Sequence, residues 1–169
     1  MGKKDEKGFT LIELLIVVAI ILIIAAIAIP NLLRSRMAAN EASAVGSLRT
    51  INTAAVTYSS TYGNGFPPTL QTLGPPAGGG TPTCDAAGLI DNVLASGQKS
   101  GYKFTYVAGN DKIPQAPPNC SSPGSNTYTL NADPISPGTT GIRYFYTDES
   151  GVIRFNATGQ AGPNDPPIS

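Results

Sequence analysis

The sequence predicts an α+β chain: a long N-terminal α-helix, kinked near Pro30, whose C-terminal half packs on a four-stranded antiparallel β-sheet. Three observations predict it. Residues 9–29 are apolar but for Thr10 and Glu13. From Leu33 to Tyr58 apolar side chains recur every three or four residues, the helical period. Eight of the twelve aromatic residues then fall in four short segments between Tyr102 and Asn156, each bounded by turn-forming residues, which is how strands read.

The first element carries the most information. A helix over residues 9–29 rises about 31 Å, roughly the thickness of a bilayer's hydrocarbon core. The segment before it holds Lys3, Lys4 and Lys7 against Asp5 and Glu6, which keeps the N-terminus cytoplasmic and sends the bulk of the chain outward. A cleaved secretory signal and a plain single-span anchor both fit this much. Ala26-Ile27-Ala28 supports the first, having the small residues a signal peptidase prefers, and the length of the span supports the second.

Glu13 counts against both. A carboxylate among Leu11, Ile12, Leu14 and Leu15 costs about 2.5–3.5 kcal/mol at mid-span and less near an end. The span contains no basic residue, so the countercharge must be a terminus, a lipid or another chain. Cleavage after Gly8 would place the new amine of Phe9 at a helix start, where positive charge is unfavourable unless a carboxylate answers it.

The run Gly8-Phe9-Thr10-Leu11-Ile12-Glu13-Leu14-Leu15-Ile16-Val17 closely resembles the type III signal of type IV pilins and pseudopilins. The resemblance implies processing at Gly8 and Phe9: a prepilin peptidase cuts after Gly8 and methylates the Phe9 amine. It implies that the apolar helix stays in the mature chain and becomes the core of a filament, a homopolymer of identical subunits. Glu13 then pairs with the Phe9 terminus of an adjacent subunit, and the helix around Pro30 unwinds locally, so that Phe9, Glu13 and Pro30 are the residues of subunit assembly. A cytoplasmic assembly ATPase and an inner-membrane platform are implied as partners. The precursor is expected in the inner membrane and the product in an extracellular pilus serving adhesion, twitching motility or DNA uptake. The alternative is a pseudopilin, the periplasmic piston of a type II secretion system. The presence of Glu13 argues against a tip-type minor pseudopilin, and the lack of an evident calcium loop against the major one.

The expected domains are a leader at 1–8, a membrane and filament-core helix at 9–29, its amphipathic continuation at 30–61 and a globular head at 62–169. Pro30 cannot donate to the Ala26 carbonyl and crowds that turn, so it kinks the helix without ending it. Beyond it, Leu33, Met37, Ala44, Val45, Leu48, Ile51, Ala55 and Tyr58 form the stripe that packs on the sheet. Ser35, Asn40, Ser43, Ser47, Thr50 and Thr57 form the opposite, polar face. The helix ends where Gly63, Gly65, Pro67 and Pro68 interrupt the pattern.

A short helix is expected at 86–95, with Leu89, Ile90, Val93 and Leu94 on one side. Strands are expected at 102–107, 127–131, 142–147 and 152–156. Tyr102, Phe104 and Tyr106 alternate with polar residues, so that the first of these strands has one buried face. Asp148-Glu149-Ser150-Gly151 joins the last two as a tight hairpin. Pairing Thr147 with Val152 would put Tyr144, Tyr146, Ile153 and Phe155 on one face and Phe145 beside Arg154 on the other.

Cys84 and Cys120 are the two cysteines of the chain. In an exported domain they are expected to form one disulfide, which closes a loop around the first strand and contributes roughly 4 kcal/mol at most. Many type IV pilins instead close a loop near the C-terminus, where this chain has no cysteine.

Catalysis finds little material here. Histidine is absent, which removes Ser-His triads and His-based acid/base work, and two cysteines do not make a four-ligand zinc site. No enzyme activity, cofactor or metal site is expected. The 11 basic and 11 acidic residues balance, and Lys99, Lys103 and Lys112 are isolated charges, so nucleic acid is not expected as a specific partner. Asn119-Cys120-Ser121 and Asn156-Ala157-Thr158 match the glycosylation pattern, as a chain rich in Ser, Thr and Asn does by chance.

Overall fold

A computed structural model describes residues 8–168. The expected leader therefore lies, apart from Gly8, outside the described residues. One helix, α1 (Leu11–Tyr62), passes through Pro30 without a break. The chain divides into two compact units with the boundary between Arg36 and Met37, inside this helix.

In the first unit the apolar side chains from Phe9 to Leu33 are almost all exposed. This is the one helix among the described residues that is long and apolar enough to cross a membrane.

In the second unit, α1 buries Glu41, Ala44, Ser47, Leu48, Ile51, Ala54, Ala55 and Tyr58. The spacing from 41 through 44, 48, 51 and 55 to 58 alternates three and four, so these residues share one face. Most of the predicted stripe is here. The opposite face carries Thr50, Thr53, Thr57 and Ser60, whose hydroxyls donate to carbonyls four residues back at 2.9–3.0 Å.

The sheet has five antiparallel strands in sequential order: β1 (Gln98–Lys99), β2 (Tyr102–Ala108), β3 (Tyr128–Pro134), β4 (Tyr144–Asp148) and β5 (Arg154–Asn156). The fold class is as predicted, with one strand more. The unpredicted β1 exists because Ser100 and Gly101 both take positive φ, 50° and 75°, which turns the chain in two residues and pairs Lys99 with Tyr102. Tyr102, Phe104, Tyr128, Leu130, Ala132 and Phe145 join Leu48, Ile51 and Tyr58 of the helix in the core.

Three local expectations are corrected. The short helix, α2, spans only Asn92–Ala95, with the Asp91 side chain accepting from the Leu94 N–H at its start. The preceding segment cannot be helical, because the N–H groups of Ala87, Gly88, Leu89 and Ile90 donate to carbonyls of Thr72, Gly74 and Leu73.

Strand β4 begins at Tyr144 and not at Ile142, because the N–H groups of Ile142 and Arg143 donate to the Glu41 carboxylate. The hairpin register is shifted by one residue: Phe145 pairs with Phe155 and Tyr146 with Arg154. Ser150 N–H donates to Asp148 Oδ1 and Gly151 takes φ 73°, a wider turn that leaves Val152 and Ile153 out of the ladder. A one-residue slip exchanges the two faces. Phe145 and Phe155 therefore share a face, and the guanidinium over their rings, at 5.5 and 5.6 Å, is that of Arg143 and not Arg154.

The C-terminal segment lies along the sheet. Phe155 N–H donates to Pro166 O and Ile168 N–H to Ile153 O, while Asn131 Nδ2 donates to Ala161 O. The Phe155 bond and the Arg154–Pro167 bridge occupy the free edge of β5, which would otherwise be an unpaired template for another chain.

Candidate assembly site

The helix start combines three of the predicted residues. Thr10 and Glu13 form a reciprocal cap: Glu13 N–H donates to Thr10 Oγ1 at 3.3 Å, and Glu13 Oε2 accepts from Thr10 N–H at 2.8 Å and from Thr10 Oγ1 at 2.6 Å. A threonine followed three residues later by a glutamate is the capping box, which satisfies N–H groups that a helix start leaves free.

The Glu13 carboxylate is thus met within its own chain by neutral donors. Its charge remains without a cation among the described residues. Gly8 and Phe9 precede the helix and are exposed, Phe9 by 88%, so the bond between them and the Phe9 backbone are open to other molecules. Pro30 lies within the helix, four residues after Ala26, whose carbonyl it cannot bond. The structure brings Phe9 and Glu13 to the same helix end and places Pro30 some five turns away.

The second unit holds the disulfide, Cys84–Cys120, as predicted. It ties the segment after the helix to the β2–β3 connection and encloses β2. Two fully buried side chains, Tyr58 and Asn64, form a network around it that was not foreseen. Tyr58 Oη lies 3.0 Å from Cys84 Sγ, and Asn64 Nδ2 donates to Tyr58 Oη at 3.0 Å and to Ser122 O at 3.0 Å. Asn64 Oδ1 accepts from Gly124 N–H at 3.1 Å. The sequence shows Asn64 only as part of a glycine-rich helix terminus, and no local signal couples it to Ser122.

Glu41 was also missed. Its side chain, 10% exposed, accepts from Ile142 N–H at 2.8 Å and pairs with Arg143 Nε at 2.7 Å. Burial alone would raise its pKa, but the Ile142 N–H and the Arg143 guanidinium and N–H outweigh burial and hold it below the usual glutamate value. Asn40 Nδ2 donates to Thr140 O beside it. These contacts fasten the first turn of α1 in this unit to the loop before β4. Asp133 shows the opposite balance: burial raises its pKa against weaker help from Gln160 and Lys103.

Among the described residues, no group of three or more His, Cys, Asp or Glu side chains is placed to hold a metal ion.

Comparison with known proteins agrees with what the helix start displays. Residues 3–29 match the prokaryotic N-terminal methylation motif. The chain is similar to two type IV pilins. It is 66% identical over 38 residues to the type IV wide pilus major component PilA4 of Thermus thermophilus, a match covering 22% of this chain and 29% of that protein. It is 48% identical over 111 residues to the type IV major pilin protein PilA of Myxococcus xanthus, covering 66% of this chain and 42% of that protein. The matches span less than half the length of either relative. No solved structure matches the chain. The methylation motif and the exposed apolar helix fit a membrane-anchored precursor that becomes an extracellular pilus.

Proposed function

We propose that the chain is a structural subunit of a type IV pilus filament, assembled through its N-terminal helix. The observation that carries this reading is Glu13, a carboxylate with no cation among the described residues, one turn from the exposed Phe9 in a segment, residues 9–29, that is otherwise apolar except for Thr10. A prepilin peptidase cuts between Gly8 and Phe9, and the Phe9 amine of one subunit supplies the charge that Glu13 of another lacks. Helices leave lipid and pack on one another, with a cytoplasmic ATPase and an inner-membrane platform driving the transfer. The same contact repeated between successive subunits is heterologous and does not close, so it generates a helical fibre. Pro30 gives the helix a place to unwind during that packing.

In this reading residues 1–8 are removed, 9–29 form the filament core, 30–61 join core to head, and 62–169 form the surface that serves adhesion, twitching motility or DNA uptake. The similarity to two pilus components supports a pilus subunit, and the alternative is the piston of a type II secretion system. Electron microscopy of cells lacking the protein tests the choice. Loss of surface fibres is expected, whereas intact fibres with lost secretion of exported proteins would select the piston.

A further inference from the structure

Two arginines stand at the outward end of the apolar helix. Arg34 and Arg36 are both exposed, and neither forms an ion pair among the described residues. They follow directly on Leu32 and Leu33, which are exposed as well. The Arg34 Cα lies five residues past Ile29, about 7.5 Å along the axis. A bilayer of about 40–45 Å overall has a core of about 30 Å, so this is the depth of one headgroup layer.

The direction of the two side chains fits the same place. Residues two apart on a helix are about 200° apart around it and about 3 Å apart along it, so Arg34 and Arg36 occupy opposite sides at nearly one height. Every Cα–Cβ bond of an α-helix leans toward its N-terminus, and both stems therefore lean back toward the apolar segment. A protein docked on one side would meet one of these guanidinium groups. A lipid layer surrounds the helix and meets both. The planar guanidinium also matches the geometry of a phosphate. Basic residues just outside a span on the exported side run against the usual bias toward the cytoplasm, and a favourable contact there offsets that cost.

We propose that Arg34 and Arg36 form a girdle that binds the phosphates of anionic lipids in the outward-facing leaflet and sets the depth of the precursor in the membrane. This rests on the helix lying in a membrane and not on filament growth, so lipid preference and fibre yield are separate measurements.

The test uses the full chain reconstituted in phosphatidylcholine vesicles, with a trace of spin-labelled phosphatidylglycerol or phosphatidylcholine reporting how strongly each lipid is held at the helix. Attraction of about 1 kcal/mol per basic residue at an anionic surface corresponds to about a five-fold preference for each arginine. R34Q and R36Q are each expected to lower the ratio about five-fold, and the double variant by roughly the product. The R34K/R36K variant is expected to retain most of the preference, because its charge is intact. Inorganic phosphate, matched in ionic strength by chloride, is expected to leave it unchanged. The proposal is overturned if the double glutamine variant keeps the preference, if one arginine accounts for all of it, if the lysine variant loses it, or if inorganic phosphate specifically abolishes it.

Discussion

The hydroxyl of Tyr58 lies 3.0 Å from Cys84 Sγ, at the end of α1 where the helix meets the disulfide. A disulfide sulfur carries no proton, so the tyrosine O–H is the donor, and its oxygen is free to accept from Asn64 Nδ2. Both side chains are fully buried. The helix, the cross-link and the β2–β3 connection are thus joined through one phenol, and burial raises the Tyr58 pKa, so the group stays protonated and able to donate.

Tyr58→Phe is expected to lower stability by about 1–2 kcal/mol, since it leaves Asn64 with one amide partner fewer in a buried place. Replacing both Cys84 and Cys120 by serine is expected to cost more, up to about 4 kcal/mol. Urea unfolding of the three proteins checks the order. Equal midpoints for Tyr58→Phe and the parent would remove the tyrosine from the account.

The Glu41 contacts predict a pH dependence. The carboxylate has a lowered pKa in the folded chain, so its contribution to stability is present above the unfolded glutamate value of about 4.3 and is lost as pH falls through the lower folded value. Arg143 is 43% exposed in its side chain, so solvent screens part of the pair. Glu41→Gln keeps an oxygen for the Ile142 N–H but loses the charge, and is expected to cost about 1–2 kcal/mol at neutral pH. Thermal unfolding from neutral to acidic pH checks this: the gap between variant and parent should narrow at the acid end. A gap that stays constant would mean that the ion pair is not its source.

The turn at Ser100-Gly101 predicts a steric effect. Gly101 has φ 75°, and a Cβ there would lie 2.8 Å from the Thr140 Cβ. Gly101→Ala therefore combines an unfavourable backbone conformation, about 1–2 kcal/mol, with a clash against the loop that holds Glu41. A loss of at least about 1 kcal/mol in urea unfolding is expected. An unchanged midpoint would show that the turn adapts.

How much of this was legible in the sequence depended on distance along the chain. The helical face from Ala44 to Tyr58 and the alternation of Tyr102, Phe104 and Tyr106 are periodic, so short-range pattern was enough. The β4–β5 register turned on whether Val152 and Ile153 belong to the ladder, and that was decided by the Asp148–Ser150 hydrogen bond and the φ of Gly151. The two-residue β1 is too short to show a period. Glu41 and Arg143 are 102 positions apart, and nothing local to either reveals the other. The Thr10–Glu13 cap was visible as a spacing, but the expense of a carboxylate in lipid drew attention to an external partner and away from the neighbour three residues back.

That cap gives Glu13 two separable jobs, and substitutions divide them. Glu13→Gln keeps a side-chain oxygen able to accept from Thr10 but has no charge for a Phe9 amine. Thr10→Ala removes the hydroxyl that caps the helix, a loss of about 0.5–2 kcal/mol, and leaves the carboxylate in place. If Glu13 serves assembly through charge, Glu13→Gln should form few fibres at equal expression, like Glu13→Ala, while Thr10→Ala should assemble nearly as the parent does. If capping is its whole purpose, the order reverses: Thr10→Ala and Glu13→Ala fail together and Glu13→Gln assembles. Counting sheared surface fibres from matched cultures distinguishes the two orders, and near-parental yield from Glu13→Gln would end the electrostatic account of assembly.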